Sequence, residues 1–201
     1  MSGADFINTA LQHELLTMLN DDDAAITAVL GGDLPLLLQN PRLAEIIAEL
    51  RRMNERSAAR FQAIVDEHGW PGTSLVGGAG TQAAFFLVSN LFTMPEFQRA
   101  MVPVLRQAVT AGEAPGFHLA RLEDGVRCME GRPQKYGTAL GWDENAEMNP
   151  VPPVEDPEDV DRLRAEIESI EQAKALGSAQ SAGYRTASVA RHAISLLVSS
   201  L

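Results

Sequence analysis

Apolar residues recur at every third or fourth position along most of this chain, and glycines and prolines cut that rhythm into helix-length pieces. The clearest stretch runs from Leu43 through Ile46, Ile47, Leu50, Met53, Phe61 and Ile64 to Val65. A period near 3.6 residues marks a helix with one face turned to a core. The pattern therefore predicts a mainly α, single-domain bundle of about six to seven helices, and 201 residues suit one core.

The punctuation sets the expected boundaries. A first helix runs from Asp5 to Leu30, where Gly31-Gly32 stops it. Asn40 is expected to cap a second helix with Pro41 at its first position, ending at Gly69 and Pro71. Gly72 to Gly80 reads as a glycine-rich loop, followed by a third helix from Thr81 to Phe92, apolar on nearly all sides and so expected at the centre. A fourth helix spans Pro95 to Gly112, and Pro103 within it should kink or split it. A fifth carries Leu119, Leu122, Val126 and Met129 and stops at Gly131. Residues 132–154 are proline-rich and read as irregular, with a small hairpin from Lys135 to Met148. Asp156 should cap a sixth helix starting at Pro157. The expected organisation is a helical domain over 1–176 and a tail over 177–201. The apolar end of that tail (Val189, Ile194, Leu197) suggests a docking helix, against the body or in a homo-oligomer.

Charge narrows the partners. A net charge of −11 argues against nucleic acid, whose phosphates demand a basic face, and against an anionic membrane surface. The longest apolar run, Ala83 to Val88, is far below the ~20 residues of a bilayer span. The start lacks the features of a signal peptide, and the single Cys128 reads as a core thiol, so a reducing, cytoplasmic setting is expected. The four histidines show no metal-ligand spacing, and no nucleophile elbow is present. Gly77-Gly78-Ala79-Gly80 lacks the lysine and spacing of a phosphate loop. No metal and no cofactor are expected.

Polar residues interrupt the apolar stripes at a few positions. Asp22 falls among Leu11, Leu15 and Met18, and an inward carboxylate is costly unless paired. Asn54, Ser57 and His68 lie on the inward stripe of the second helix, and Asn90 sits in the apolar third helix. Each has a structural alternative: a frayed helix end for Asp22, a satisfied hydrogen bond for Asn54, Ser57 and Asn90, and a dipole-stabilised C-terminal histidine for His68. Read together, they would line one cleft between three helices.

Several short motifs follow in order: Glu14-Leu15-Leu16 with Met18 and Asp22, His68-Gly69-Trp70-Pro71, Pro95-Glu96-Phe97-Gln98, Ala111-Gly112-Glu113, Gly131-Arg132-Pro133-Gln134-Lys135-Tyr136-Gly137-Thr138 and Val154-Glu155-Asp156-Pro157. Over roughly residues 10–176 the chain resembles an uncharacterised bacterial family, domain of unknown function 6624, most specifically in its Gln-x-Tyr-Gly-Thr stretch. The resemblance implies polar residues at Asp22, Asn54, Ser57 and Asn90. It also exposes departures. Relatives read Gln-His-Ala at Ser89-Asn90-Leu91, Asp-Gln at Asp22-Asp23, Asp-Arg at Asp124-Gly125, and Gln at Ala139. Losing that histidine removes a general acid/base suited to neutral pH.

Two functions remain open. One is an enzyme modifying a small molecule or peptide by metal-free acid/base chemistry. Its catalytic candidates are Asp22, Tyr136 and Glu155, and its substrate-binding candidates are Asn54, Ser57, His68, Asn90, Gln134 and Thr138. The other is a non-catalytic binding or assembly module.

Overall fold

The computed structural model describes residues 7–30, 41–142, 148–150 and 152–167. It is mainly helical. Six helices occupy the described residues: α1 (Thr9–Leu30), α2 (Leu43–His68), α3 (Thr73–Asn90), α4 (Pro95–Thr110), α5 (Gly116–Met129) and α6 (Val160–Ile167). Two three-residue strands, β1 (Leu140–Trp142) and β2 (Met148–Pro150), pair antiparallel with Leu140 opposite Pro150. The hairpin thus lies a few residues beyond the one expected from the sequence. The tail and its docking helix, the Asn40 cap and the Gly31-Gly32 stop lie outside the described residues.

α3 is the centre. Val76, Ala83, Ala84, Phe85, Leu87 and Val88 are all buried, and only a strip through Gly78, Ala79 and Gln82, with the first residues Thr73 and Ser74, is left for solvent. It packs against α1, α2, α4 and α5, while α4 pairs with α5 and α6 rests on α5. Leu11 and Leu15 of α1, Phe61 and Ile64 of α2, Met101 and Leu105 of α4, and Leu119 and Leu122 of α5 close around it. Phe61 sets its ring edge-on to Trp70 at 5.6 Å, which anchors the turn after α2. Gly69, at φ 72°, makes that turn and donates to Val65 O at 2.8 Å.

Several boundaries differ from the sequence reading for identifiable reasons. The glycine-rich stretch is helical: α3 begins at Thr73 and is broken only at Gly77, where φ is 67° and ψ 173°. Gln12 of α1 donates its side-chain amide to Val76 O at 2.8 Å, and Asn8 N donates to Leu75 O at 2.7 Å. These carbonyls, released by the break, are thereby paired. The Asn8 side chain also accepts from Leu11 N at 3.0 Å, capping α1. Pro41 stands in a turn, and α2 starts two residues later at Leu43. α4 runs through Pro103 as one helix, with the ring on its exposed side. Asp156 caps no helix: it accepts from Glu158 N at 3.2 Å within a turn, and α6 begins only at Val160.

Among the described residues no helix is long and apolar enough to cross a membrane.

The break at Gly77 yields a paired prediction. Its backbone occupies a region essentially reserved for glycine, and an added Cβ would lie 3.1 Å from the Gln12 amide and 3.3 Å from Ile7. Gly77→Ala should cost ~1–3 kcal/mol. Gly78→Ala, where an added Cβ meets nothing within 4 Å, should instead stabilise by ~0.5–1 kcal/mol through helix propensity. Urea denaturation of both variants measures the two signs.

Candidate functional site

Three helices bring short polar side chains to one buried level. Asp22 of α1, Asn54 of α2 and Asn90 of α3 are 3%, 0% and 2% exposed. Ser57, one turn after Asn54, donates its hydroxyl to Asp22 Oδ1 at 3.0 Å. Asn54 Nδ2 donates to Thr93 Oγ1 at 2.8 Å, just beyond the end of α3. Asn90, one turn before Thr93, donates from Nδ2 to Asp23 Oδ1 at 3.0 Å. The three bonds close a circuit from α1 to α2, from α2 to the end of α3, and from α3 back to α1. Asp22 is not at a frayed end, since α1 continues eight residues past it to Leu30.

The circuit leaves specific atoms over. Among the described residues, six buried side-chain polar atoms have no hydrogen-bond partner, and four of them belong here: Asp22 Oδ2, Asn54 Oδ1, Ser89 Oγ and Asn90 Oδ1. A buried unpaired acceptor costs roughly 1–3 kcal/mol, so such atoms are rare and a cluster of four needs a cause. Burial pushes the Asp22 carboxyl up to about 6, with the charges of Asp23 and Asp21 adding to the effect and the Ser57 hydrogen bond opposing it.

The other residues singled out from the sequence do not join this circuit. Gln134, Tyr136, Thr138 and Glu155 gather on the α5 side of the molecule. There Asp124, fully buried, accepts from the backbone N–H of Lys135 (2.7 Å), Tyr136 (3.0 Å) and Thr138 (2.9 Å) and from the Thr138 hydroxyl (2.9 Å). Gln134 donates to Ala139 O and Pro152 O, both at 2.7 Å, and accepts from Ala139 N at 2.7 Å. Arg164 of α6 donates to Tyr136 O at 2.7 Å. The Gln-x-Tyr-Gly-Thr stretch is thus a loop wrapped around one carboxylate, and Gly137, at φ 66°, lets it turn. Tyr136 is buried, with its hydroxyl 3.4 Å from Glu123 Oε2, and Arg106 pairs with the same carboxylate. Glu155 is exposed and pairs with Arg127 at 2.6 Å. His68 is exposed at the end of α2, 3.4 Å from Glu67. The catalytic set Asp22, Tyr136 and Glu155 is therefore divided between two separate hydrogen-bonding networks and the surface.

Two other motifs have local structural roles. Gln98 of α4 is buried and donates to Val88 O (2.9 Å) and Ser89 O (3.1 Å), closing the C-terminal end of α3. Glu113 accepts from Ser74 N at 2.9 Å, which places a carboxylate at the N-terminus of α3. Sequence reasoning missed Asp124 and Ser89 as individual residues. Ser89 was readable only as the neighbour of Asn90, and Asp124 only as the carboxylate of an ordinary Glu-Asp-Gly stretch. His118 is also buried, flat against Phe85 at 4.2 Å with Nδ1 unpaired, and burial lowers it to about 4. Cys128 is buried, and burial pushes its thiol up to about 12. Among the described residues no group of three or more His, Cys, Asp or Glu side chains is placed to hold a metal ion.

A family model described as a family of unknown function, DUF6624, matches residues 9–175. The chain belongs to DUF6624. The match takes in both the Asp22 circuit and the Asp124 clamp, so each is part of the DUF6624 domain. No curated protein and no solved structure matches the chain.

The two buried aspartates should respond oppositely to amidation. Asp22 binds its proton more tightly folded than unfolded, so its contribution falls as pH rises from about 4 to about 6 and is constant above. The loss is at most roughly 3 kcal/mol. Asp22→Asn should therefore match the parent near pH 4 and exceed it in melting temperature at pH 7.5. Asp124→Asn should lose ~3 kcal/mol or more at either pH, because an amide N–H would face the Thr138 donors. Melting curves of both variants at the two pH values check the contrast.

Proposed function

We propose that this DUF6624 domain binds a small molecule or the end of a peptide at the Asp22–Asn54–Asn90 circuit and that Asp22 moves a proton on it. The observation that carries the reading is Asp22 itself: buried, anchored through one oxygen by Ser57, and unpartnered at the other. A general acid or base works best with a pKa close to the working pH, because both protonation states are then populated. A value of about 6 meets that condition without a histidine. Asn54 and Asn90, held through their amide N–H groups by Thr93 and by Asp23, the neighbour of Asp22, keep fixed open oxygens, which suits them to orient a bound group. Buried polar atoms left unpaired reduce stability, and retaining four of them in one place is what a pre-organised recognition site requires. The Asp124 clamp supports the opposite role for the Gln-x-Tyr-Gly-Thr loop. Its polar groups are consumed by holding the loop and α6 to α5, so it serves as scaffold.

A thermal-shift screen of small metabolites and dipeptides tests the reading. Compounds that raise the melting temperature of the parent should lose at least half of that shift in Asp22→Asn. Any turnover found for a hit should follow an apparent pKa near 6 that disappears in the same variant. A set of hits indifferent to Asp22→Asn would refute the assignment of the site.

A further inference from the structure

The open atoms of the circuit have one chemical sense. The amide donors of Asn54 and Asn90 are committed to Thr93 and Asp23, and the Ser57 hydroxyl is committed to Asp22. What remains is Asp22 Oδ2, Asn54 Oδ1 and Asn90 Oδ1, three acceptors, and the Ser89 hydroxyl, next to Asn90 in the chain. The orientation of Asn90 is fixed by its partner: a carboxylate demands the amide N–H, so its oxygen must face the other way. Charge points in the same direction. Asp21, Asp22 and Asp23 are adjacent, and among the described residues none of the ion pairs involves them. α2 faces Asp22 with Asn54 and Ser57, and α3 contributes Ser89 and Asn90, all uncharged.

Resting on the reading above, we propose that the ligand presents a protonated primary amine, whose three N–H groups pair with Asp22 Oδ2, Asn54 Oδ1 and Asn90 Oδ1. An anion is disfavoured because the Ser89 hydroxyl is the one open donor among three acceptors, one of them a carboxylate oxygen. A guanidinium is disfavoured because its fork needs both oxygens of a carboxylate, and Ser57 holds one of the two. A hard divalent cation takes six or more oxygen ligands, usually with several carboxylates, whereas this set opens a single carboxylate oxygen. An ammonium group is a point charge with three donors and no acceptor, which matches the set in number and in sign.

The test is a titration followed by the side-chain amide signals of Asn54 and Asn90 in ¹H–¹⁵N spectra of the full chain. The probes are butylammonium, glycinamide, N-methylacetamide, butyrate and Mg²⁺. Butylammonium and glycinamide should shift both signals saturably, and the tighter of the two tells a free amine from a peptide-like terminus as the source. Binding should weaken about tenfold from pH 7 to pH 5, as Asp22 with a value of about 6 takes up its proton. It should also weaken at least tenfold in Asp22→Asn, and less in Ser89→Ala. If N-methylacetamide, butyrate or Mg²⁺ acts through Asp22 and the amines do not, the ammonium assignment falls while the site stands. If no probe and no screening hit moves either signal, both fall, and water alone serves the four atoms.

Discussion

The burial of α3 between four other helices is the constraint from which the rest of the molecule follows. On its packed faces a helix so enclosed cannot discharge polar groups into water, so a polar group there needs a neighbour to meet it. Its two ends are met in that way. Glu113 accepts from Ser74 N at the N-terminus, and Gln98 donates to Val88 O and Ser89 O at the other end. The break at Gly77 releases carbonyls in the first turns of α3, and α1 meets them with Gln12 and the backbone of Asn8. The placement of α1 and α4 is therefore fixed by hydrogen bonds as well as by apolar contact. This matters because apolar packing alone tolerates sliding, whereas a side-chain amide at 2.8 Å from one carbonyl does not.

Against that background the buried polar residues fall into two kinds. Asp124 and Gln134 use their capacity fully, gathering backbone groups from a loop that has no secondary structure to pair them. They replace a strand ladder with one carboxylate and one amide. Asp22, Asn54 and Asn90 each use only part of theirs. The bonds they make link three helices and hold the remaining oxygens in place. In the first kind the polar atoms are spent on the fold, and in the second some stay unpaired at fixed positions. That difference, more than proximity, separates scaffold from the proposed site.

The helical content and the central place of α3 were legible in the sequence because both depend on periodicity, which is local. The inward positions of Asp22, Asn54 and Asn90 were legible for the same reason. Less legible was the helical state of residues 73–80, where glycine composition argued for a loop. There tertiary packing outweighed propensity: Val76 is buried, and Gln12 of α1 donates to its carbonyl. The Gln-x-Tyr-Gly-Thr stretch was conspicuous as a motif, yet a motif marks constraint without saying whether the constraint is chemical or structural. Its partner Asp124 lies 10 to 14 residues away across a turn, and no spacing rule links them. Likewise, nothing in the sequence separates Gln134 from Asn90. Only the count of bonds made and bonds left open does so.

The acidic run in α1 shows why position decides chemistry among identical residues. Asp21, Asp22 and Asp23 are consecutive, so on a helix they point about 100° apart. Asp21 and Asp23 face solvent, while Asp22 faces α2 and loses most of its hydration. The outer two then act on the inner one. Their negative charges add to desolvation in raising Asp22, and Asp23 also fixes the Asn90 amide through its carboxylate. A single aspartate at position 22 would have had burial alone to shift it. With both neighbours present, the run supplies the proton-holding group, the charge that tunes it and the anchor that aims the oxygen beside it.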